Sequence, residues 1–537
     1  MEFTNFLLVY PEIPETYWSY KHALSFIGKR ALMPPLGLAT IAAMIPDQFN
    51  CRILDMNVEA LSDDDLLGSD MVLVSAMLIQ KASFHEVIAR CNRLGVPVAA
   101  GGPYPTSCPE QMSGVDHLVL NEGEITFPRF LTDYQLGRAK SLYSDERRPD
   151  IKRSPVPRFD LLQLDLYDTL PFQFSRGCPY HCEFCDIVHL FGNVPRTKSP
   201  EQFVRELDAA YRTGFRGSVF IVDDNFIGNH REVKELLRVV AAWQVEHRLP
   251  FHFSTEASID LAADEELLDL MVDAGFVMVF VGIESPAEES LKEAGKSQNL
   301  RIDVGEAIRR IQRRGIDVTA GFIIGFDTDP ADIYDRQIQF VQQLSIPVAM
   351  VGLLMALPHT LLWERLSREG RMLSGSDGNN THGISMNFQP RRDTAEIVAG
   401  YRRVLREVYR PSRYFARCLA LLRIYPEHLP DEDRRADRKI GFRELSGLGK
   451  SLSRQIFSWY GLAYLSYIVR ALLLRPAYVV RIFTMAVQGH HFFTITRMML
   501  RAETVREPVR TGARSFASER IGSRSVAISG MTHAVGR

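Results

Sequence analysis

Three of the seven cysteines, Cys178, Cys182 and Cys185, fall inside eight residues of the stretch Ser175-Arg176-Gly177-Cys178-Pro179-Tyr180-His181-Cys182-Glu183-Phe184-Cys185. Thiolates spaced C-x3-C-x2-C can all face one centre, which is how iron–sulfur clusters are held. A cubane that only carries electrons takes four protein ligands. Three would leave one iron open to a substrate or cofactor. Two other readings use the same residues: a zinc knuckle completed by His181 or His189, and a chance cluster. The remaining Cys51, Cys91, Cys108 and Cys418 are scattered and read as structural.

The loop needs a scaffold, and residues 171–375 read as one. Strand-like runs at Phe172–Ser175, Ser218–Asn225, Phe251–Ala257, Val277–Glu284, Val318–Asp327 and Val348–Pro358 alternate with helical ones. The helices are expected at Pro200–Tyr211, Arg231–Glu246, Glu265–Ala274, Val304–Arg314, Pro330–Leu344 and Thr360–Glu369. Six such units predict an incomplete parallel barrel, whose chemistry belongs at the carboxyl ends of its strands. Those ends are polar: Asp223-Asp224-Asn225, Thr255-Glu256, Gly282-Ile283-Glu284-Ser285, Gly321 to Asp327, and Leu357-Pro358-His359-Thr360. One such carboxylate is as readily a helix cap or a surface ion pair. A set of them on successive strands is costly to bury without a cationic, hydrogen-bonding partner.

Residues 1–140 predict a doubly wound parallel sheet. Strands are expected at Phe6–Tyr10, Cys51–Asn57, Met71–Met77, Val96–Gly101 and His117–Leu120, with helices at Leu36–Ile45, Lys81–Leu94 and Thr126–Tyr134. Ligands of such sheets bind beyond the carboxyl ends of the strands. There the sequence places Asn57, Ser75, Gly101, Gly102, Thr106, Gly123 and Glu124, with glycines that let backbone approach a large flat ligand. Residues 141–170, with Ser154-Pro155-Val156-Pro157, read as a linker between the two units.

The cysteine run, with Phe184 as the aromatic before its last cysteine, resembles the signature of the radical S-adenosylmethionine (SAM) enzymes. That resemblance implies a 4Fe-4S cluster whose open iron takes the amino and carboxylate groups of SAM. It implies that Asp223, Asp224 and Asn225, in place of a more usual GGE, meet the SAM amino group, and that Glu256 and Glu284 lie near ribose and methionine. The run through Gly321, Ile323 and Gly325 resembles G-x-I-x-G-x-x-E, which supports the adenine; its last position here is Thr328, beside Asp327.

The first domain, with Gly101-Gly102-Pro103, Thr106 and Gly123-Glu124, resembles the cobalamin-binding domain that precedes the barrel in one large class of these proteins. It lacks the D-x-H-x2-G loop of mutase-type domains: the corresponding residues are Asp55-Met56-Asn57, so no histidine would ligate cobalt from below. Together these resemblances imply a cobalamin-dependent radical SAM methylase. In such an enzyme SAM is cleaved to a deoxyadenosyl radical, cobalamin donates a methyl group to an unactivated carbon, and flavodoxin or ferredoxin supplies electrons. Hopanoid C-2 methylases are relatives of similar layout, which implies a small-molecule or lipid substrate. Rival readings are a radical SAM enzyme that does not methylate, and a non-catalytic iron–sulfur sensor.

Composition bounds the rest. Hydrophobic content of 46% and charged content of 24% over 537 residues describe a globular chain of two or three domains. Residues 401–537 hold 25 Lys/Arg against 10 Asp/Glu, whereas residues 1–400 hold 38 against 55. That asymmetry points to an anionic contact, and no nucleic-acid-binding motif is evident. The amino terminus lacks the basic start and apolar run of a signal peptide, and clustered thiols suit a reducing cytoplasm. Residues 376–510 are expected to form a helical domain and 511–537 a disordered tail. Ser374–His382, rich in Gly, Ser and Asn, reads as a lid or boundary loop. Ile456–Leu474 is nineteen residues with the single charge Arg470, a poor membrane span that reads as a helix lying on a bilayer or as a cap on the barrel.

Overall fold

A computed structural model describes residues 4–376, 378, 385–427 and 442–502. The expected tail over 511–537 and most of the expected lid over 374–382 lie outside the described residues.

The first sheet is built from runs of Val, Leu and Ile buried on both faces. It has six strands: β1 (Asn5–Tyr10), β2 (Asn50–Asp55), β3 (Met71–Ser75), β4 (Val98–Gly101), β5 (His117–Val119) and β6 (Leu142–Tyr143). All pair in parallel in the order β2-β1-β3-β4-β5-β6. The order reverses between β1 and β3, the point where doubly wound sheets open a crevice. β6 belongs to the stretch read as a linker. That stretch is packed, with Ile151, Phe159 and Tyr167 buried.

The second sheet comprises β7 (Thr169–Phe172), β10 (Gly217–Ile221), β11 (Phe251–Glu256), β12 (Phe276–Glu284), β13 (Asp317–Ile324) and β14 (Ala349–Leu353), all parallel and in chain order. Between β7 and β10 a two-residue antiparallel pair, β8 (Ser175–Arg176) with β9 (Arg196–Thr197), pinches the base of the cysteine loop. Along β11 the buried residues Phe251, Phe253 and Thr255 alternate with His252, Ser254 and Glu256, which face the open lumen.

The carboxyl-terminal helices, Thr394–Val408, Pro411–Ile424, Phe442–Ile456, Gly461–Leu474 and Val479–Ala502, pack on the β14 side of the barrel. Arg417, buried, donates to the carbonyls of Ile346, Pro347 and Val408. Tyr17 from the amino-terminal segment lies in this domain, stacked with Tyr409 at 5.7 Å and with Phe492 at 5.8 Å. No helix among the described residues is long and apolar enough to cross a membrane.

Candidate active site

The cysteine loop is fixed by its neighbours. Gly177 has φ +94, and a Cβ there would lie 2.9 Å from the Gly192 carbonyl oxygen, so only glycine fits this turn. The Cys178 amide donates to Gly192 O (3.3 Å) and the Glu183 amide to Ala294 O (2.9 Å). Glu183 is held by Arg365 in a fork of 2.6 and 2.9 Å. Burial pushes all three thiols up from their ordinary range, a penalty that metal coordination removes. Among the described residues no three His, Cys, Asp or Glu side chains converge tightly enough for a single metal ion. His189 instead stacks on His359 at 4.4 Å. Phe184 packs edge-on against Phe326, behind the loop.

The strand ends divide into groups that face the lumen and groups that do not. Asp223 does not face it: its oxygens accept from the amides of Phe174 (2.8 Å) and Ser175 (2.7 Å) and from Ser175 Oγ (2.7 Å). Asn225 likewise turns away, bonded to the Ser258 amide (3.1 Å) and hydroxyl (3.0 Å). Of the three residues expected at the SAM amino group, Asp224 is the one left open to it, because β10 ends at Ile221 and the turn that follows ties Asp223 to the backbone of Phe174 and Ser175 and Asn225 to Ser258. Asp224 lines the cavity, and its Oδ2 has no hydrogen-bond partner. Burial pushes Asp224 to about 7, and burial followed by the charge of Asp224 pushes Glu256 to about 8. Such carboxyls are set for a cation. The donor set therefore fits the ammonium of SAM.

Glu284 holds φ +64 and pairs with Lys296 at 2.6 Å. Burial would lower Lys296, but Glu284 and the thiols of Cys182 and Cys185 keep it well above its ordinary value. Lys296 was not among the expected site residues, because it lies just after the short helix Glu288–Glu293 that follows β12 rather than at a strand end. On β13 Gly321 leaves space for the Phe280 ring, which a Cβ would meet at 2.9 Å; Ile323 is buried, and Gly325 turns at φ +110. The loop after β13 is braced by Asp329, which accepts from the Gly325 amide (2.9 Å) and Ser290 Oγ (2.7 Å). Asp327 is taken by Arg371 at 2.6 and 2.7 Å.

A cavity of about 790 Å³ runs between the two sheets, and Asn57, Ser75, Gly101, Gly102, Thr106, Gly123 and Glu124 all line it, together with Asp224. A Cβ on Gly101 would lie 2.6 Å from Val119 O, one on Gly102 2.5 Å from Ser75 Oγ, and one on Gly123 2.7 Å from Ile41 Cδ1. These clashes are with the protein itself, so the glycines shape the cradle before any ligand enters. With Leu36, Ile41, Met44 and Phe127 the walls are largely apolar, and they suit a flat macrocycle. No histidine lines the cavity among the described residues. Asn57 and Asp55 satisfy each other at 2.6 and 2.9 Å, and Tyr167 reaches Asp55 at 2.8 Å.

Two expected cavity groups are otherwise engaged. Thr106 Oγ1 accepts from the Asn121 amide at 3.0 Å. Glu124 is bonded to Arg176 at 2.7 and 2.9 Å and to Ser154 Oγ. Burial alone would raise Glu124, yet Arg176 brings it to about 2. Glu122 completes the group with Arg176 (2.8 Å) and Arg196 (2.8 Å). A buried ionic clamp thus ties the first domain to the two strands at the base of the cysteine loop.

The order of domains is one that known families share. The B12 binding domain family matches residues 30–131, the radical SAM superfamily residues 172–336, and a domain of unknown function residues 360–504. An uncharacterized methyltransferase of Synechocystis is 45% identical over 413 residues, 76% of this chain and 77% of the relative. The hopanoid C-2 methylase of Rhodopseudomonas palustris is 36% identical over 416 residues, 76% of this chain and 78% of the relative. Among solved structures, the radical SAM methyltransferase TsrM of Kitasatospora setae, with cobalamin and 4Fe-4S cluster bound, superposes with a TM-score of 0.57 at 16% identity. It covers 88% of this chain and 99% of that one. The cobalamin-dependent radical enzyme OxsB gives 0.55 at 16% identity, over 94% of this chain and 80% of that one. Cysteine loop, lumen carboxylates and interdomain cradle thus occur in a chain that belongs to the cobalamin-binding radical SAM methyltransferases, enzymes of a 4Fe-4S cluster, SAM and cobalamin.

Proposed function

We propose that this chain methylates an unactivated carbon of an apolar small molecule, and that the substrate class is a polycyclic lipid. The observation that carries the reading is the single cavity joining the cobalamin-side glycines to Asp224 at the mouth of the barrel. When bound, the three cofactors supply one-electron cleavage of SAM and a transferable methyl group, chemistry that side chains lack.

The protein's part is position and charge. Cys178, Cys182 and Cys185 would hold the 4Fe-4S cluster. Asp224 and Glu256 receive the ammonium of SAM, and Gly321, Ile323 and Gly325 flank its adenine. Lys296 offsets the negative charge of the thiolates beside it. Asn57, Ser75, Gly101, Gly102, Thr106 and Gly123 line the corrin cradle, while Glu124 acts through Arg176. The apolar walls exclude water from the reacting carbon and favour an apolar substrate. A relative named for a hopanoid supports the lipid class. Flavodoxin or ferredoxin is the proposed reductant.

The test is anaerobic turnover of the full chain with SAM, hydroxocobalamin, reduced flavodoxin and a total bacterial lipid extract. S-adenosylhomocysteine and 5′-deoxyadenosine should form together, with a lipid gaining one methylene in mass. Deoxyadenosine without S-adenosylhomocysteine or a heavier lipid would contradict methyl transfer.

A further inference from the structure

The three most exposed large apolar side chains all lie in the carboxyl-terminal helical region. Phe457 and Leu462 are each 89% exposed and Leu473 is 81% exposed, with Trp459, Leu465 and Val469 beside them. In the helix Gly461–Leu474, Leu462, Leu465, Val469 and Leu473 recur every three to four residues, so they form one stripe. The opposite face buries Tyr464, Tyr467, Ile468 and Ala471, with Tyr467 stacked on Phe415 at 4.7 Å. The helix therefore has one apolar face that is covered and a second apolar stripe that is not.

Charge on this surface has one sign. Between Glu444 and Glu503 the sequence contains no Asp or Glu, but it contains Lys450, Arg454, Arg470, Arg475, Arg481, Arg497 and Arg501. Arg470 and Arg497 are exposed beside the stripe, and Arg497 lies 5.2 Å over the Trp459 ring. Two copies meeting through this face would oppose like charges. Residues 503–537 carry six arginines against three glutamates, so that segment has the wrong charge to cover it. An aromatic-rich apolar stripe flanked by arginine matches the boundary of an anionic bilayer.

The helix that precedes the stripe packs on a segment that reaches the cavity. Helix Phe442–Ile456 packs on helix Lys21–Ile27, where Arg454 donates to Ser25 Oγ at 3.1 Å and lies 5.3 Å over the Phe26 ring. Trp18 and Lys21, at the start of that segment, line the cavity. We propose that the helices 442–502 dock the enzyme on an anionic lipid bilayer through the Phe457–Leu473 stripe, placing the Trp18 end of the cavity at the membrane surface. This rests on the proposed apolar substrate only for its purpose, not for its test.

The test is co-sedimentation of the full chain with vesicles of phosphatidylcholine containing phosphatidylglycerol, compared with pure phosphatidylcholine. The wild type should sediment with the anionic vesicles, and raised salt should weaken the binding. Leu462→Glu/Leu473→Glu should bind at least about tenfold more weakly. Both side chains are exposed, so an unchanged melting temperature and circular dichroism spectrum are expected. Equal binding of wild type and variant, equal binding to neutral vesicles, or a dimer that the variant dissociates without any vesicle binding would each overturn the proposal. Binding is read without turnover, so a failure here is distinct from a failure of methyl transfer.

Discussion

At the scale of the residue, the chemistry turns on which carboxylates stay unpaired. Asp224 and Glu256 face the lumen and are held up at about 7 and about 8, whereas the adjacent Asp223 is consumed by the backbone of Phe174 and Ser175. Asp224→Asn and Glu256→Gln should each weaken SAM binding about ten- to a hundredfold, measured by calorimetry. Asp223→Asn should instead lower the melting temperature. A carboxyl raised in the fold binds its proton more tightly than in the unfolded chain, so its contribution favours folding at acid pH. That contribution is lost as pH rises from the unfolded value near 4 toward 8. The cofactor-free protein should therefore lose melting temperature between pH 5 and pH 8, less steeply in Glu256→Gln, and added SAM should restore it. An unchanged pH slope in Glu256→Gln would contradict this. The three cysteines were legible because their spacing is local. The choice of Asp224 over Asp223 was not, since it depends on where β10 ends against β7, and neither was Lys296, whose partners lie up to 114 residues away in sequence.

At the scale of the element, the cradle and the clamp come from loops that follow strands. Gly102 has φ +90 and ψ −173, a region in practice reserved for glycine. Gly102→Ala should cost about 1–3 kcal/mol and reduce cobalt bound per chain after reconstitution, read by metal analysis, while iron content is retained. Loss of iron and cobalt together would show a general folding defect instead. Arg176→Met leaves Glu122 and Glu124 buried with less compensation, a change that costs about 3–5 kcal/mol. It should loosen the first domain from the cysteine loop, seen as faster hydrogen exchange at both ends of the clamp. The parallel strands were readable from their apolar runs, and the helices Lys81–Leu94 and Glu265–Ala274 match their expected bounds. Strand ends were overestimated, as with Val348–Pro358 against the observed Ala349–Leu353, because an apolar run continues past the last ladder bond. Strand β6 escaped notice because two residues carry no periodicity.

At the scale of the whole molecule, two parallel sheets present their carboxyl ends to one cavity, and the clamp sets the distance between them. That convergence was legible only as two separate sets of polar strand ends; that they share a cavity follows from packing between residues far apart in sequence. The central claim is a cubane with one iron left open, facing Asp224 and Glu256. It is tested most directly by the electron paramagnetic resonance spectrum of the anaerobically reconstituted, reduced chain, recorded before and after adding SAM. The account predicts a 4Fe-4S signal whose g values shift on addition of SAM. A signal that SAM leaves unchanged, or a protein that takes up zinc and gives no signal, would contradict it.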